Sequence, residues 1–184
     1  MNLANKISIT RIILIPLFIT SIVYSRMDIA LFFFAAAIIS DGVDGFIART
    51  QNQKTKLGTI LDPLADKFLL VSAFICLSIV KNIPSGLSLP PYVPIIVISR
   101  DAIIVLGSVM IHVITGDVKV TPSILGKITT FFQMMTITSV LLQFKYSYAV
   151  WNSAAVLTVI SGIDYIIKGS RILSENHLIS KKAA

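Results

Sequence analysis

The chain has 184 residues, of which 55% are hydrophobic and only 14% are charged. Soluble globular proteins carry about 25% charged residues, so this composition excludes an ordinary soluble domain and also a disordered chain. Sixteen Lys and Arg residues outnumber nine Asp and Glu residues, which gives a net charge of +7. In so apolar a chain we attribute this excess to membrane topology and anionic headgroups, and we expect no nucleic-acid partner. The composition predicts a polytopic membrane protein.

Six apolar stretches, each close to the roughly twenty residues that a membrane-spanning helix needs, follow one another along the chain. They are Ser8–Tyr24, Ile29–Arg49, Gly58–Val80, Val93–Val113, Ser123–Leu142 and Tyr146–Lys168. The mildly amphipathic residues before Arg11 predict a short interfacial segment at the amino end. We therefore expect an all-α fold with six transmembrane helices in one bundle, forming a single domain over residues 1–184.

The basic residues predict how these spans are oriented. With six spans, both termini lie on the same side of the membrane as the second and fourth loops, and that side carries twelve of the sixteen basic residues. The opposite side carries three, and the remaining one, Arg100, lies within the fourth span. Because cytoplasmic segments are enriched in Lys and Arg, both termini are predicted to be cytoplasmic.

Two pairs of acidic residues lie within the second and third apolar stretches, where an unpaired charge costs at least about 2.5–3.5 kcal/mol. They are Asp41, Asp44, Asp62 and Asp66. The first two end the second stretch with a spacing of i,i+3, and the last two begin the third with a spacing of i,i+4, so each pair shares one helix face. The intervening loop makes the two helices antiparallel, which brings all four carboxylates to one depth on the cytoplasmic side. We expect cations among them.

Oxygen ligands without nearby Cys or His favour Mg²⁺, Mn²⁺ or Ca²⁺ over zinc, and four carboxylates suffice for two metal ions about 3.5–4 Å apart. The alternative is that the aspartates form ion pairs, for which Arg49 and Lys67 are available, or cap their helices. We favour the metals, because ion pairs and caps explain one or two acids more readily than four. Small residues accompany the acids: Gly42, Gly45, Ala48 and Gly58. They either let helices pack closely or leave room for a bulky anionic group.

From Asp41 to Asp66 the residues spell D-x-x-D-G-x-x-A-R-x8-G-x3-D-x3-D. This pattern is the signature of the CDP-alcohol phosphotransferases, and all its fixed positions are present. Four other segments resemble the phosphatidylglycerophosphate synthases, a bacterial subgroup of that family: the opening NLANKISITRIILIP, DPLADK, the Gly126–Lys127 pair and the late SGIDY. The chain thus resembles this family over most of its length.

The resemblance implies an integral enzyme of the bacterial inner membrane with its active site on the cytoplasmic side. Such an enzyme would transfer a phosphatidyl group from CDP-diacylglycerol to glycerol 3-phosphate and yield phosphatidylglycerophosphate and CMP. The implied cofactors are two divalent metal ions, Mg²⁺ or Mn²⁺, held by the four aspartates, with Asp66 also acting as general base. The resemblance implies a homodimer as well.

Substrate contacts follow from the same resemblance. The residues implied for the donor are Asn5, Ser8, Gly45, Ala48, Arg49 and Gly58. Arg49 would bind the donor phosphate with both arms of its guanidinium group, and Ser8 would either contact the cytosine or cap the first helix. For the acceptor, a phosphorylated alcohol with about two negative charges, we expect Lys127 and Arg100, because intramembrane cations usually have a partner.

Two alternatives to this function remain. The fourth span contains ISRD, with Asp101 where the glycerophosphate enzymes usually have Glu, and no second Arg follows. This version also resembles the cardiolipin synthases of the same family, which would take phosphatidylglycerol as acceptor. The second alternative is a cation transporter, but the sequence contains neither repeated halves nor paired broken helices.

Overall fold

The structure is a computed structural model that describes residues 3–50, 56–80, 83, 87–115 and 123–183, with side chains for 13–40, 67–80, 83, 87–111, 113 and 123–171. The described part of the chain folds into six helices and contains no strand. They are α1 (Leu3–Val23), α2 (Met27–Thr50), α3 (Lys56–Ile79), α4 (Tyr92–Thr115), α5 (Ile124–Leu141) and α6 (Ser147–Ala183). Each helix coincides with one predicted apolar stretch, which confirms the all-helical prediction.

The outermost helices are longer than their apolar stretches. α1 begins at Leu3, so the residues before Arg11 belong to the first helix and Ser8 is not its N-cap, while their interfacial position stays a prediction. α6 continues past Lys168 to Ala183 and has 37 residues. At about 1.5 Å per residue this helix is about 55 Å long, which exceeds the hydrocarbon thickness of a bilayer. Hydropathy predicts only the apolar part of a helix, and these ends are polar.

Three of the described helices are long and apolar enough to cross a membrane: Tyr92–Ile111 of α4, all of α5, and Ser147–Arg171 of α6. The described apolar parts of the first three helices are shorter, and they cover Ile13–Val23, Met27–Ser40 and Lys67–Ile79. Large apolar side chains such as Leu106 and Ile167 remain exposed, as expected of surfaces that face lipid. These features indicate an integral membrane protein, while the arrangement with six spans stays a prediction.

Among the described side chains, a buried core includes the end of the bundle where α1 ends and α2 begins. Phe18 of α1 and Phe34 of α2 are almost fully buried, and their ring centroids are 5.7 Å apart. Phe74 of α3, Val97 of α4 and Ile137 of α5 are buried in the same cluster. Because lipid is as apolar as these side chains, close packing rather than the hydrophobic effect holds such helices together.

The helices pack in two groups, which are joined by α3 and by a contact of α2 with α5. α1 packs against α2 and α3, while α6 packs against α4 and α5. α3 also contacts α4 and α5, and α2 contacts α5. α3, which carries Asp62 and Asp66, is therefore a neighbour of the helices that carry Arg100 and Lys127.

Candidate active site

The four aspartates predicted to bind metals lie in helices, as expected. Asp41 and Asp44 belong to the last part of α2, and Asp62 and Asp66 to the first half of α3. Helical geometry keeps the two members of each pair on one face. Their side chains lie outside the described residues, so the convergence of the four carboxylates stays a prediction.

The residues predicted for the donor also lie outside the described side chains. The backbone places them in the first three helices: Asn5 and Ser8 in α1, Gly45, Ala48 and Arg49 in α2, and Gly58 in α3. Among the side chains that the structure describes, no group of three or more His, Cys, Asp and Glu is placed to hold a metal ion. The metal prediction therefore depends on the four aspartates, whose oxygen-only chemistry suits Mg²⁺ or Mn²⁺.

A group of charged and polar side chains connects α3, α4 and α6. Its member on α3, Lys67, directly follows Asp66 in the sequence. This buried charge cluster consists of Lys67, Arg100, Asp101 and Ser161. Lys67 Nζ donates a hydrogen bond of 2.6 Å to Asp101 Oδ2, and Arg100 Nη1 donates one of 2.8 Å to Asp101 Oδ1. Arg100 Nη2 donates a third, of 2.8 Å, to Ser161 Oγ. The side chains of Arg100 and Asp101 are 8% and 9% exposed, and that of Lys67 is 39% exposed.

The cluster gives Lys67 a partner other than the aspartates. The sequence left Lys67 available to neutralise them, but its ammonium group bonds to Asp101 on α4. Arg49, the other cation considered for that purpose, lies outside the described side chains. The charge of Lys67 is therefore compensated by a carboxylate on a different helix from the aspartates.

Two glycines make room for Arg100 because they have no side chain. A Cβ atom on Gly126 would lie 3.1 Å from Arg100 Nη2, closer than ordinary van der Waals contact, and one on Gly162 would lie 3.5 Å from Arg100 Cγ. Gly126 is the third residue of α5, and its N–H donates a hydrogen bond of 3.0 Å to Oγ of the N-cap residue Ser123. The guanidinium group of Arg100 therefore lies between α5 and α6, at the amino end of α5.

The described side chains of the buried charge cluster have a net charge of +1. Lys67 and Arg100 are cationic, and Asp101 is the single acid bonded to them among the described side chains. In the same part of the structure, Arg100 Nε is buried without a hydrogen-bond partner. Because a buried donor without an acceptor is costly, Arg100 Nε is suited to bind an anion. Its chemistry fits the acceptor-binding role predicted for Arg100.

Lys127, the other residue predicted for the acceptor, follows Gly126 in the first turn of α5 and is exposed. Arg100 Nη2 approaches Gly126, so the structure brings both predicted cations to the amino end of α5. No described contact joins Lys127 to the buried charge cluster. The two cations therefore lie at one end of one helix, one of them buried and the other open to solvent or headgroups.

A second polar contact fixes α6 against α4. Tyr165 Oη lies 2.7 Å from Ser108 Oγ and 3.0 Å from the carbonyl oxygen of Ile104. A Cβ atom on Gly107 would lie only 2.9 Å from Tyr165 Cε1, so this approach requires a glycine. The contact lies one helical turn beyond Ser161 along α6 and keeps that residue in register with Arg100.

Sequence reasoning did not select Asp101, Ser161 or Gly162 as site residues. A signal for Asp101 was present, because an acid within an apolar stretch needs a cation and Lys67 is a cation of another span. For Ser161 and Gly162 the only signal was the resemblance of SGIDY to a known subgroup. Small polar residues are frequent between membrane helices, so their spacing alone does not point to Arg100.

One protein-family model, described as CDP-alcohol phosphatidyltransferase, matches residues 1–161. The chain belongs to this family. The matched range contains the aspartate motif and the whole buried charge cluster, and it confirms the resemblance found in the sequence. As a CDP-alcohol phosphatidyltransferase the chain is an enzyme, and the cation-transporter alternative loses its support.

Individual relatives of this CDP-alcohol phosphatidyltransferase match it along most of its length. A probable phosphatidylglycerophosphate synthase of Mycobacterium tuberculosis is 31% identical over 182 residues, which cover 92% of this chain and 82% of that protein. The CDP-diacylglycerol–glycerol-3-phosphate 3-phosphatidyltransferase of Bacillus subtilis is 32% identical over 200 residues, covering 96% of this chain and 99% of that protein. A human cardiolipin synthase (CMP-forming) is 29% identical over 193 residues, covering 92% of this chain and 62% of that protein. Both products considered for the sequence thus occur among the relatives.

Proposed function

We propose that this CDP-alcohol phosphatidyltransferase transfers the phosphatidyl group of CDP-diacylglycerol to glycerol 3-phosphate and produces phosphatidylglycerophosphate and CMP. The observation that carries the proposal is the similarity, over nearly the full length of both chains, to the Bacillus subtilis relative whose name states this reaction. The name of the Mycobacterium tuberculosis relative gives the same product. In the reaction, the acceptor hydroxyl oxygen bonds to the phosphorus that carries diacylglycerol, and the bond from that phosphorus to CMP breaks.

We propose that the four aspartates hold two divalent ions, Mg²⁺ or Mn²⁺. The support is the chemistry of the donor set, because four carboxylates come from two consecutive helices and no Cys or His lies between Asp41 and Asp66. When bound, the two cations would neutralise the pyrophosphate and stabilise the CMP leaving group. The aspartates themselves fix where the donor phosphates lie relative to the acceptor.

Asp66 is proposed as the general base as well as a ligand. It would accept the proton of the acceptor hydroxyl as the new bond to phosphorus forms, which requires the carboxylate to be ionised, and nearby positive charge favours that state. Arg49 would bind the donor phosphate through two parallel hydrogen bonds. The other proposed donor contacts are Asn5, Ser8, Gly45, Ala48 and Gly58. The small residues among them leave room for the nucleotide against the helices.

Arg100 and Lys127 are proposed to bind the phosphate of glycerol 3-phosphate. A small dianion that enters a pocket of low polarity needs fixed cations, and charge-assisted hydrogen bonds are the strongest that a protein offers. The excess positive charge of the buried charge cluster and the unpartnered Arg100 Nε support this assignment. The position of both residues at the amino end of α5 supports their acting on one ligand.

A second candidate function is cardiolipin synthesis, with phosphatidylglycerol as acceptor. Its support is the human relative named cardiolipin synthase (CMP-forming) and the Ser99–Arg100–Asp101 sequence of α4. Phosphatidylglycerol carries one phosphodiester charge at headgroup level, so it needs a buried cation less than glycerol 3-phosphate does. The buried position of Arg100 therefore favours the first candidate.

The arrangement in the membrane is part of the proposal. We propose six spans in a single domain, with both termini and the active site on the cytoplasmic side of the bacterial inner membrane. The excess of basic residues in the segments assigned to that side supports this orientation. We also propose a homodimer, for which exposed apolar helix surfaces are available.

The proposal is tested with the purified protein in detergent, CDP-diacylglycerol and Mg²⁺ or Mn²⁺. CMP release is compared with glycerol 3-phosphate, phosphatidylglycerol, inositol phosphate and serine as acceptors. We expect rapid release with glycerol 3-phosphate and formation of phosphatidylglycerophosphate. Release with phosphatidylglycerol alone would replace the first candidate by the second and leave the family unchanged.

A further inference from the structure

We propose that Asp101 is a positioning residue, which holds the ammonium group of Lys67 away from the metal-binding aspartates by pairing with Lys67 and Arg100. The inference rests on the proposed function in one respect, since it takes Asp66 and its companions as metal ligands. The contacts that carry it are described side-chain contacts, and they join α3 to α4 directly after the aspartate motif.

The geometry at Asp101 is that of a bridge between two cations. Each carboxylate oxygen accepts one charge-assisted hydrogen bond, Oδ2 from Lys67 at 2.6 Å and Oδ1 from Arg100 at 2.8 Å. Asp101 is 7% exposed, so solvent screens these interactions weakly. Arg100 is held independently by Ser161 and by the glycines around it, whereas Asp101 is the only described partner of the Lys67 side chain. Among the described side chains, Asp101 is therefore the group that orients Lys67.

The position of Lys67 makes that orientation important for the metals. Lys67 follows Asp66 on α3, and its ammonium group sits on a flexible four-carbon stem that is 39% exposed. If Asp101 did not bind it, the ammonium group would be free to pair with one of the four carboxylates of the aspartate motif, of which Asp66 is its neighbour in the sequence. An ammonium group among those carboxylates would compete with the divalent ions for the same oxygens. Asp101 removes this competitor by offering a carboxylate on a different helix.

The test measures Mn²⁺ binding to the full chain in detergent, by electron paramagnetic resonance of free Mn²⁺, without either substrate. Four proteins are compared: wild type, Asp101→Asn, Lys67→Gln and the double variant. Asp101→Asn keeps the shape of the side chain but removes its charge, so we expect Mn²⁺ affinity to fall at least about tenfold. Lys67→Gln should bind Mn²⁺ at least as tightly as wild type. The double variant should return to within about threefold of wild type, because the competitor is gone.

Asp28→Asn is the matched control. Asp28 forms an exposed ion pair with Arg26, at 3.3 Å, at the opposite end of α2 from Asp41 and Asp44. The same chemical change there should leave Mn²⁺ affinity unchanged, since exposed pairs contribute little. Thermal unfolding of each variant in detergent shows whether it is folded. If Asp101→Asn does not fold, the double variant, which keeps the net charge of the buried charge cluster, carries the test alone.

The outcomes separate this inference from the proposed function. Equal Mn²⁺ affinity of Asp101→Asn and wild type overturns the inference, and so does a double variant that binds Mn²⁺ as weakly as Asp101→Asn. If Asp101→Asn is not recovered, a double variant weaker than wild type by more than about threefold overturns it. A wild type that binds Mn²⁺ but releases no CMP with glycerol 3-phosphate overturns the proposed acceptor alone. A wild type that binds no Mn²⁺ overturns the inference, while the proposed acceptor is decided by CMP release.

Discussion

Gly126 and Arg100 fit so closely that a Cβ atom on Gly126 would lie 3.1 Å from Arg100 Nη2. Arg100 has little freedom to move aside, because its guanidinium group is also bonded to Asp101 and Ser161. The residue after Gly126 is Lys127, the second cation proposed for the acceptor. The glycine before that lysine is therefore explained by a close approach between α4 and α5.

Gly126→Ala is expected to displace the guanidinium group of Arg100 and to raise the KM for glycerol 3-phosphate about tenfold, the effect of about 1.4 kcal/mol of lost binding. The KM for CDP-diacylglycerol should change little. Alanine favours a helix over glycine by about 1 kcal/mol, so a weakened α5 would not explain the loss. Steady-state kinetics in detergent micelles measure both constants.

The control for this substitution is Gly169→Ala. A Cβ atom on Gly169 would lie 3.7 Å from Ile111 Cδ1, which is ordinary van der Waals contact. Both KM values should therefore stay near wild type. A Gly126→Ala enzyme with the kinetics of the Gly169→Ala enzyme would contradict the assignment of Arg100 to the acceptor.

Arg100→Lys tests whether the planar guanidinium group is needed or only its charge. The single ammonium group of lysine cannot bond to Asp101, Ser161 and an acceptor phosphate at once, as a guanidinium group can. We expect the KM for glycerol 3-phosphate to rise about ten- to a hundredfold, the loss of one charge-assisted hydrogen bond. Ser161→Ala removes only the bond to a neutral hydroxyl and should have a smaller effect. Equal effects of the two substitutions would assign the arginine to packing instead.

The metals are tested by removal. Excess chelator should abolish CMP release by the wild-type enzyme, and Mg²⁺ or Mn²⁺ added in excess over the chelator should restore it, because four uncompensated carboxylates are expected to repel the anionic donor. The readout is CMP formed per enzyme before and after the addition. Full turnover in excess chelator would refute the two-metal proposal.

Asp66→Asn separates the base from the ligand. The amide keeps the shape of the side chain and one coordinating oxygen but does not accept the hydroxyl proton. General-base catalysis contributes about 10²–10⁴-fold, so kcat should fall at least that far while CDP-diacylglycerol still binds. Single-turnover CMP release and donor binding measure the two effects separately. Turnover near that of wild type would reassign the base.

The fold was largely predictable from the sequence because hydropathy is a strong signal in membrane helices. All six helices coincide with the predicted apolar stretches, and Ser123 caps α5 at the predicted boundary. The errors lie at polar ends, where α1 starts before Ser8 and α6 continues beyond Lys168. A hydropathy scale detects the apolar part of a helix and does not show that the helix continues into polar residues.

The site was predictable where its residues are close in sequence and not where they are far apart. The aspartate motif occupies 26 consecutive positions, and the family match confirms the resemblance drawn from it. The ion pair of Lys67 with Asp101 and the bond of Arg100 to Ser161 join residues 34 and 61 positions apart. Such contacts depend on which faces of which helices meet, and a single sequence carries little information about that.

Lys127 is the residue on which the choice of acceptor turns. It follows Gly126 at the amino end of α5, beside the space that holds the guanidinium group of Arg100, and it is exposed. A glycerophosphate acceptor brings about two negative charges to this place, so Lys127→Ala should raise its KM about ten- to a hundredfold and change the KM for CDP-diacylglycerol much less. Lys145→Ala, at an exposed lysine beyond the opposite end of α5, is the matched control and should leave both constants unchanged.

Phosphatidylglycerol carries a single charge at headgroup level, so an enzyme that used it would depend less on Lys127. Turnover with phosphatidylglycerol that is insensitive to Lys127→Ala, together with none for glycerol 3-phosphate, would make cardiolipin synthesis the function of this family member.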